Sequence, residues 1–500
     1  MPDFAAFLKK KGFIYQSSEI YGGLSGFYDY GHLGTKLKHN FENAWRRCFL
    51  SLNDNFHEIE TANIMPANVF KASGHLDHFI DPVVNCSKCE FTERADLLLE
   101  QKLGRRAAEL SPEELTAQIE KNKLPCPQCG GKLQPVSVTN MMFPVKTGVG
   151  KTQQAYLRPE TAQSPYVNFK LQYELLRNKL PLGLALVGRA YRNEISPRNL
   201  TLRQREFTQA ELQIFFNPEK INEHPQFAAV KDYKLSLMQL KDREAGAKKI
   251  TAQELVEKGL PKFYVYHLVK IQQFYFDVLM IKEKKFRFYE LNDKEKAFYN
   301  QYHFDIEIEL REHGWTEMGG LHYRTDHDLK GHQIVSGQKM EVFDEQSGKK
   351  FIPHVLELSF GVDRNVYALL DLNYEEDANR GNVVLHLPKH FGSYDYAFLP
   401  LVKNNPELLA KAEAVYEEFR PYSAYFDASG SVGRRYARAD EMGVNFCVTI
   451  DFESLQDAAL TIRDRESTKQ IRVKIEDLKM KLLLAMEDKF KFESLGPVVR

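Results

Sequence analysis

The sequence predicts an α+β protein in which an antiparallel sheet flanked by helices carries a cysteine-bearing insertion and is followed by an α/β domain. Three observations predict it. Two long apolar-polar runs, PLGLALVGRAYRNEI (181–195) and TLRQREFTQAELQIFF (201–216), read as strands joined by a loop containing Ser196-Pro197-Arg198. Two CxxC pairs bracket a charged helical stretch within residues 82–150. After Arg380-Gly381-Asn382, strand-like runs such as YDYAFLPLV and NFCVTIDF alternate with helical runs such as NPELLAKAEAVYEEF.

At 500 residues the chain exceeds one ordinary core, and the division read from its texture is 1–81, 82–150, 151–380 and 381–500. A composition that is 43% hydrophobic and 27% charged is that of a globular protein, with no apolar run near membrane-spanning length. No membrane role is expected. The lysine-rich start, MPDFAAFLKKKGF, lacks the apolar stretch of a secretory signal, so a cytoplasmic location is expected. Sixty-eight basic residues balance 68 acidic ones, which excludes a wholesale polycation but allows local basic surfaces for a phosphate backbone. Six cysteines are too few for a disulfide scaffold. Cys48 and Cys447, outside the CxxC pairs, are expected to be buried thiols.

In chain order, YGGLSGFYDYGHLG (21–34) is a Gly/Tyr-rich loop. It leads into a helix on which Leu37, Phe41, Trp45 and Cys48 recur at helical spacing. Ser111-Pro112-Glu113-Glu114 forms a capping box with proline at the first helical position. Residues 155–216 read as β-rich, and KFYVYHLVKIQQFYFDVLM (262–280) as a buried helix.

Chemistry concentrates in three places. The first is Arg192-Asn193-Glu194-Ile195-Ser196-Pro197-Arg198, continued by Leu202-Arg203-Gln204-Arg205-Glu206-Phe207 and Glu211. Arginine forks on a rigid antiparallel pair supply both the geometry and the charge needed to hold a polyphosphate. The second is Glu357-Leu358-Ser359-Phe360-Gly361-Val362-Asp363-Arg364. Here a strand with Glu and Ser on one face meets a glycine, which lets a ligand approach the backbone, and a helix begins with Arg364 in its first turn. The third is Cys86, Cys89, Cys126 and Cys129, the composition of a closed tetrahedral zinc site, although 36 residues between the pairs exceed a usual ribbon loop.

The first two blocks together resemble motifs 2 and 3 of class II aminoacyl-tRNA synthetases. The order of further landmarks is similar to that of the glycyl-tRNA synthetase family of dimeric, single-chain type. These are YGGLSGFYDYGHLG, Pro66 with Ala72-Ser73-Gly74-His75, and Leu157-Arg158-Pro159-Glu160-Thr161-Ala162-Gln163. Tyr323-Arg324-Thr325-Asp326 and Gly433-Arg434-Arg435-Tyr436-Ala437-Arg438-Ala439-Asp440-Glu441 complete the set.

The resemblance implies an enzyme that activates glycine with ATP and Mg²⁺ and transfers it to tRNA(Gly) as a homodimer. In it Arg192 holds the α-phosphate, Glu194 the adenine amino group and Arg364 the γ-phosphate. Asn193, Leu202, Arg203, Gln204, Arg205, Glu206, Phe207, Met318, Gly361, Val362 and Asp363 complete the ATP site, with Glu317 acting through Mg²⁺. Glu160, Glu211 and Glu357 surround the glycine ammonium, and Ser359 stands where a larger side chain would project. Arg94, Phe207 and Gly361 join the glycine site. The final domain resembles an anticodon-binding domain, with Arg434, Arg435 and Arg438 on tRNA, and residues around 35–66 form the dimer interface.

Two places depart from the family pattern, Ser164-Pro165 after Thr-Ala-Gln and Asn445 in the late block. Synthetases for serine, threonine or proline are disfavoured by Glu211 with Glu357-Leu358-Ser359. A non-catalytic accessory factor of the same descent has no reason to retain Arg192, Glu194, Arg203 and Arg364.

Overall fold

The computed structural model describes residues 4–104, 107, 110–149, 153–297, 299–344, 348–487 and 489–499. The expected boundary at 150/151 lies outside the described residues. The chain gathers into two compact units, one of Gln16–Tyr28 and Glu42–Asn365, the other of Met1–Tyr15, Asp29–Phe41 and Val366–Arg500.

The larger unit is built on a nine-stranded sheet. Its elements in chain order are α1 (His32–Leu50), which spans both units, β1 (Phe56–Glu58), α2 (Gln163–Leu175), β2 (Leu182–Tyr191), β3 (Glu206–Phe216), β4 (Lys234–Met238), β5 (Lys248–Thr251) and α3 (Lys262–Gln273). They continue with β6 (Phe286–Glu290), β7 (Tyr302–Leu310), β8 (Gly314–Thr325), α4 (His327–Ser336), β9 (His354–Gly361) and α5 (Val362–Asn373), which again spans both units. The strand order is β5-β4-β6-β7-β8-β9-β3-β2-β1, antiparallel except at β4/β6 and β2/β1.

Register decides the two faces. Glu211 opposes Ser359, Gln213 opposes Glu357, and Ser359 and Glu357 oppose Gly320 and His322 in turn. Directly opposed residues share a face, so this side of the three adjacent strands β3, β9 and β8 is polar. The alternate residues Leu212, Leu358, Phe360 and Leu321 are fully buried on the other side. There Trp45 and Phe49 of α1 and Phe274 beyond α3 pack on Phe360. At the far end of the polar face α2 closes the sheet, with Phe169 stacked on Phe215 at 4.4 Å.

Helix α2 corrects the β-rich reading of 155–216. Tyr166, Phe169 and Tyr173 are buried at helical spacing. Exposed Val167, Leu171 and Leu175 blur that period in the sequence. Pro165 falls in the first turn of α2, where a missing N–H costs nothing.

The insertion contributes a three-stranded sheet, Thr92–Arg94, Ile80–Asn85 and Ser137–Asn140, and the helices Ala95–Leu103 and Pro112–Lys121. Both arms of the capping box form: Ser111 Oγ accepts from Glu114 N–H at 3.2 Å, and the Glu114 carboxylate accepts from Ser111 N–H at 2.8 Å.

The second unit carries a six-stranded mixed sheet, ordered Ala424–Phe426, Tyr396–Pro400, Phe446–Ile450, Ala459–Asp464, Gln470–Lys474 and Val498–Val499. Its first three strands are parallel. Helices Pro406–Phe419 and Leu478–Met486 bury Leu408, Phe419 and Leu482 against it. Cys447 is buried there, whereas Cys48 is half-buried. Among the described residues, no helix is long and apolar enough to cross a membrane.

Candidate functional site: a carboxylate-lined cavity beside an arginine cluster

A cavity of about 530 Å³ opens on the polar face of β3, β8 and β9. Its inner end holds Glu160, Glu211 and Glu357, all buried, around the fully buried Arg324. Arg324 Nη1 donates to Glu357 at 2.6 Å, Nε donates to Asp328 at 2.9 Å, and Nη2 lies 3.4 Å from Glu160. Gln163 bridges Glu160 and Asp328 at 2.8 and 2.9 Å. His322 Nδ1 sits 2.9 Å from Glu357, and His75 Nε2 3.6 Å from Glu160.

These partners differentiate the three glutamates. Burial works to raise the Glu357 carboxyl, but Arg324 and His322 outweigh it and hold it at about 2. The same opposition, with Arg324 and His75 prevailing over burial, holds Glu160 well below the carboxylate range. Glu211, by contrast, has no ion pair within 4 Å among the described residues, although Arg158 acts on it at longer range. It accepts from the Thr161 hydroxyl at 2.6 Å, the Ser359 hydroxyl at 2.7 Å and the Gln209 amide at 3.0 Å. Burial, then the charges of Glu357 and Glu160, push it up to about 8. The carboxylates of Glu160, Glu357 and Asp328 share the one Arg324 guanidinium, which leaves this end short of positive charge, so it fits a small cation.

The outer end is the reverse. Arg192, Arg203 and Arg364 line it. Arg192 Nε donates to the Pro159 carbonyl at 3.0 Å, and its guanidinium lies 5.4 Å from the Phe207 ring centre. Arg364 is in the first turn of α5, as its sequence pattern predicts, and donates to the Leu202 and Glu317 carbonyls at 3.0 Å each. Glu194 Oε1 and Arg203 Nη1 are buried and form an ion pair at 3.7 Å, with no hydrogen bond to either among the described residues. An acceptor and a donor on a cavity wall, paired only loosely and without hydrogen bonds, fit a polar ligand that supplies hydrogen-bond partners to both.

Of the other predicted ATP residues, Leu202, Gln204, Phe207, Glu317, Met318, Gly361 and Asp363 line the cavity. Asn193, Arg205, Glu206 and Val362 are not among the residues that line it. Asn193 N–H donates to the Met141 carbonyl at 2.7 Å, and Arg205 braces the loop through the Glu194 and Ser25 carbonyls. Glu206 faces Arg189, and Val362 is fully buried. Arg94 is likewise off the cavity wall, held by Asp81 at 3.1 Å and Asp96 at 2.7 Å.

Sequence reading gave no role to Arg324, His322, Gln163, Thr161 or Gln209. The alternation of polar groups along β3 and β8 was the available signal. A larger cleft of about 820 Å³ lies at the other end of β2 and β3, beside Pro181 and Phe216, and none of the predicted site residues lines it.

The four knuckle sulfurs lie within 4.8 Å of one another, so both pairs face one point. Lys88 N–H reaches Cys86 Sγ at 3.3 Å and Gly131 N–H reaches Cys129 Sγ at 3.4 Å. Four sulfurs steadied by backbone donors are compatible with one structural zinc ion.

In the second unit Arg434 is exposed, and Arg438 pairs with Asp427 while keeping 37% of its side chain open. Arg435 departs from its expected contact with tRNA. It is fully buried, and its guanidinium donates to the Pro400, Ser429 and Gly430 carbonyls. Its place on the inner face of the helix Val432–Glu441 is the reason.

Residues 146–373 match the family model for the tRNA synthetase class II core domain (G, H, P, S and T), and residues 395–483 match that for an anticodon binding domain. The glycine–tRNA ligase of Pyrococcus horikoshii is 38% identical, with 95% of this chain and 96% of that protein covered. The chain belongs to the glycine–tRNA ligase family. The family's enzyme from Aeropyrum pernix is 36% identical, covering 98% of each chain. Among solved structures, prolyl-tRNA synthetase from Cryptosporidium parvum complexed with L-proline and AMP superposes with a TM-score of 0.58. It is 11% identical and covers 97% of this chain and 75% of that one, a likeness of fold alone. The fold is thus a class II synthetase core joined to an anticodon-binding domain.

Proposed function

We propose that the protein activates glycine with ATP and transfers it to the 3′ end of tRNA(Gly). The observation that carries this reading is the juxtaposition of an anionic pocket around Arg324 with the arginine-lined outer cavity. The ammonium group of glycine sits among Glu160, Glu211 and Glu357. Its carboxylate points outward to the ATP α-phosphate beside Arg192. A carboxylate oxygen bonds to the α-phosphorus as the bond to pyrophosphate breaks, and Arg364 receives the departing phosphates. Then the terminal hydroxyl of tRNA attacks the glycyl carbonyl and AMP leaves. No protein nucleophile is needed, so catalysis is positioning and charge stabilisation.

Adenine stacks on Phe207, with Glu194 accepting from its amino group and Arg203 completing the phosphate contacts. Glu317, half exposed at 53%, is an oxygen donor suited to Mg²⁺, which neutralises phosphate charge when bound. Ser359, fixed by Glu211, limits the space beyond the glycine α-carbon. A missing or added methyl is worth only ~1–3 kcal/mol in attraction, so exclusion is the effective device.

The four-part organisation 1–81, 82–150, 151–380 and 381–500 is kept as the functional division. Zinc at Cys86, Cys89, Cys126 and Cys129 stabilises the insertion, Arg434 and Arg438 contact tRNA, and a homodimer forms around residues 35–66 in the cytoplasm. Charging of tRNA with labelled glycine tests the reading. Purified protein should charge in an ATP-dependent manner, and absence of charging would overturn it.

A further inference from the structure

Two aromatic rings stand beside the Arg192 guanidinium. Phe207, on its own hairpin, lies 5.4 Å from the guanidinium on one contact, and Phe79, from outside the hairpin, lies 5.4 Å from it on another. Phe79 ends the short helix His75–His78 and immediately precedes the insertion strand Ile80–Asn85.

Its backbone is tied to the same place. The Phe79 carbonyl accepts from Met141 N–H at 3.1 Å, and the Met141 carbonyl accepts from Asn193 N–H at 2.7 Å, next to Arg192. Residues 79 and 141, at the two roots of the insertion, are therefore bonded to each other and to the arginine loop. The Phe79 ring also meets His75 edge-on at 5.4 Å and packs with Met65, Phe70 and Met142. Neighbours on several sides fix where the ring stands.

We propose that Phe79 is a positioning residue that orients the Arg192 guanidinium toward the α-phosphate of ATP. The inference rests on the reading of Arg192 as a phosphate ligand. A guanidinium is flat and donates in its own plane, so an aromatic ring beside it restricts where its N–H groups point while taking no conventional hydrogen bond from them. The carbonyl of Pro159 takes the Nε donor and leaves the two Nη groups for phosphate. Phe79 touches neither substrate nor reacting atoms in this arrangement. It acts through Arg192.

Glycine-dependent ATP–pyrophosphate exchange by the full chain tests this with Phe79→Ala, Phe79→Leu and Phe79→Tyr. Phe79→Ala and Phe79→Leu should each lower kcat about tenfold with KM for glycine unchanged, because misplacing a catalytic group by a fraction of an ångström slows the step without emptying the amino-acid pocket. Phe79→Tyr, which keeps the ring, should retain the parental kcat. Combined with Arg192→Ala, Phe79→Ala should cause no further loss. Phe79→Leu keeps most of the volume, so it remains informative if Phe79→Ala does not fold. Parental activity in Phe79→Leu, or an undiminished loss on top of Arg192→Ala, would overturn the proposal. Parental exchange by Arg192→Ala alone would instead overturn the reading of Arg192 itself, and the role of Phe79 with it.

Discussion

Arg324 and Glu357 are buried together, with Nη1 2.6 Å from the carboxylate oxygen, and the same guanidinium also holds Asp328 and approaches Glu160. One cation thus organises three carboxylates on three different segments, which fixes the inner wall of the cavity.

Removing that cation leaves buried charges without compensation. Arg324→Leu should destabilise the larger unit by about 3–5 kcal/mol, the usual cost of breaking a buried pair from one side. Chemical denaturation of the variant checks this. A midpoint unchanged from the parent would show that the cluster is solvated or otherwise neutralised.

Glu211 gives the pocket a pH dependence whose sign can be worked out. Its native carboxyl is pushed up to about 8 from an ordinary value of 4.5, by burial and by the charges of Glu357 and Glu160. The native state therefore keeps a proton that the unfolded chain gives up above 4.5. Its contribution to stability is full below 4.5 and is lost as pH rises through 8. Glu211→Gln should flatten this part of the profile in denaturation measured from pH 5 to 8.5.

The same group couples glycine binding to protons. An ammonium group among the glutamates favours ionised Glu211, so binding at pH 7 should release a proton, and affinity should rise as pH approaches 8. Titration calorimetry in buffers of different ionisation enthalpy measures the release. Binding without proton release at pH 7 would place the ammonium group elsewhere.

The convergence of the four knuckle sulfurs predicts one zinc ion per chain rather than two. Metal analysis of purified protein reads the ratio directly. Cys126→Ser should lose the ion and speed hydrogen exchange in the strands 80–85 and 137–140, since a structural metal site contributes directly to folding.

Arg434 and Arg435 are adjacent in sequence and should behave oppositely. Arg434→Ala should weaken tRNA binding, with a shallower salt dependence, and leave pyrophosphate exchange intact. Arg435→Ala removes the guanidinium donor to the buried Pro400 carbonyl, so it should lower the melting temperature of the second unit.

What the sequence made legible follows from what one chain segment can encode by itself. The β2–β3 pair, the first-turn position of Arg364 and the Ser111 capping box are local patterns, and each formed as read. Helix α2 was missed because its two apolar stripes, one buried and one exposed, mask the helical period. Arg435 was misread because only packing says which residue of the helix Val432–Glu441 turns inward. The roles of Arg324, His322 and Gln163 arise from contacts between distant segments, such as Gln163 with Asp328, that no local motif announces.

The central claim is that this cavity activates glycine in particular. Amino-acid-dependent ATP–pyrophosphate exchange, run in parallel with glycine, alanine, serine, threonine and proline, tests it most directly. Exchange should depend on glycine and collapse in Arg364→Ala, with alanine and serine lower by at least about 100-fold, the scale set by exclusion from a packed pocket. Preferential exchange with alanine or serine, or full exchange by Arg364→Ala, would contradict the account.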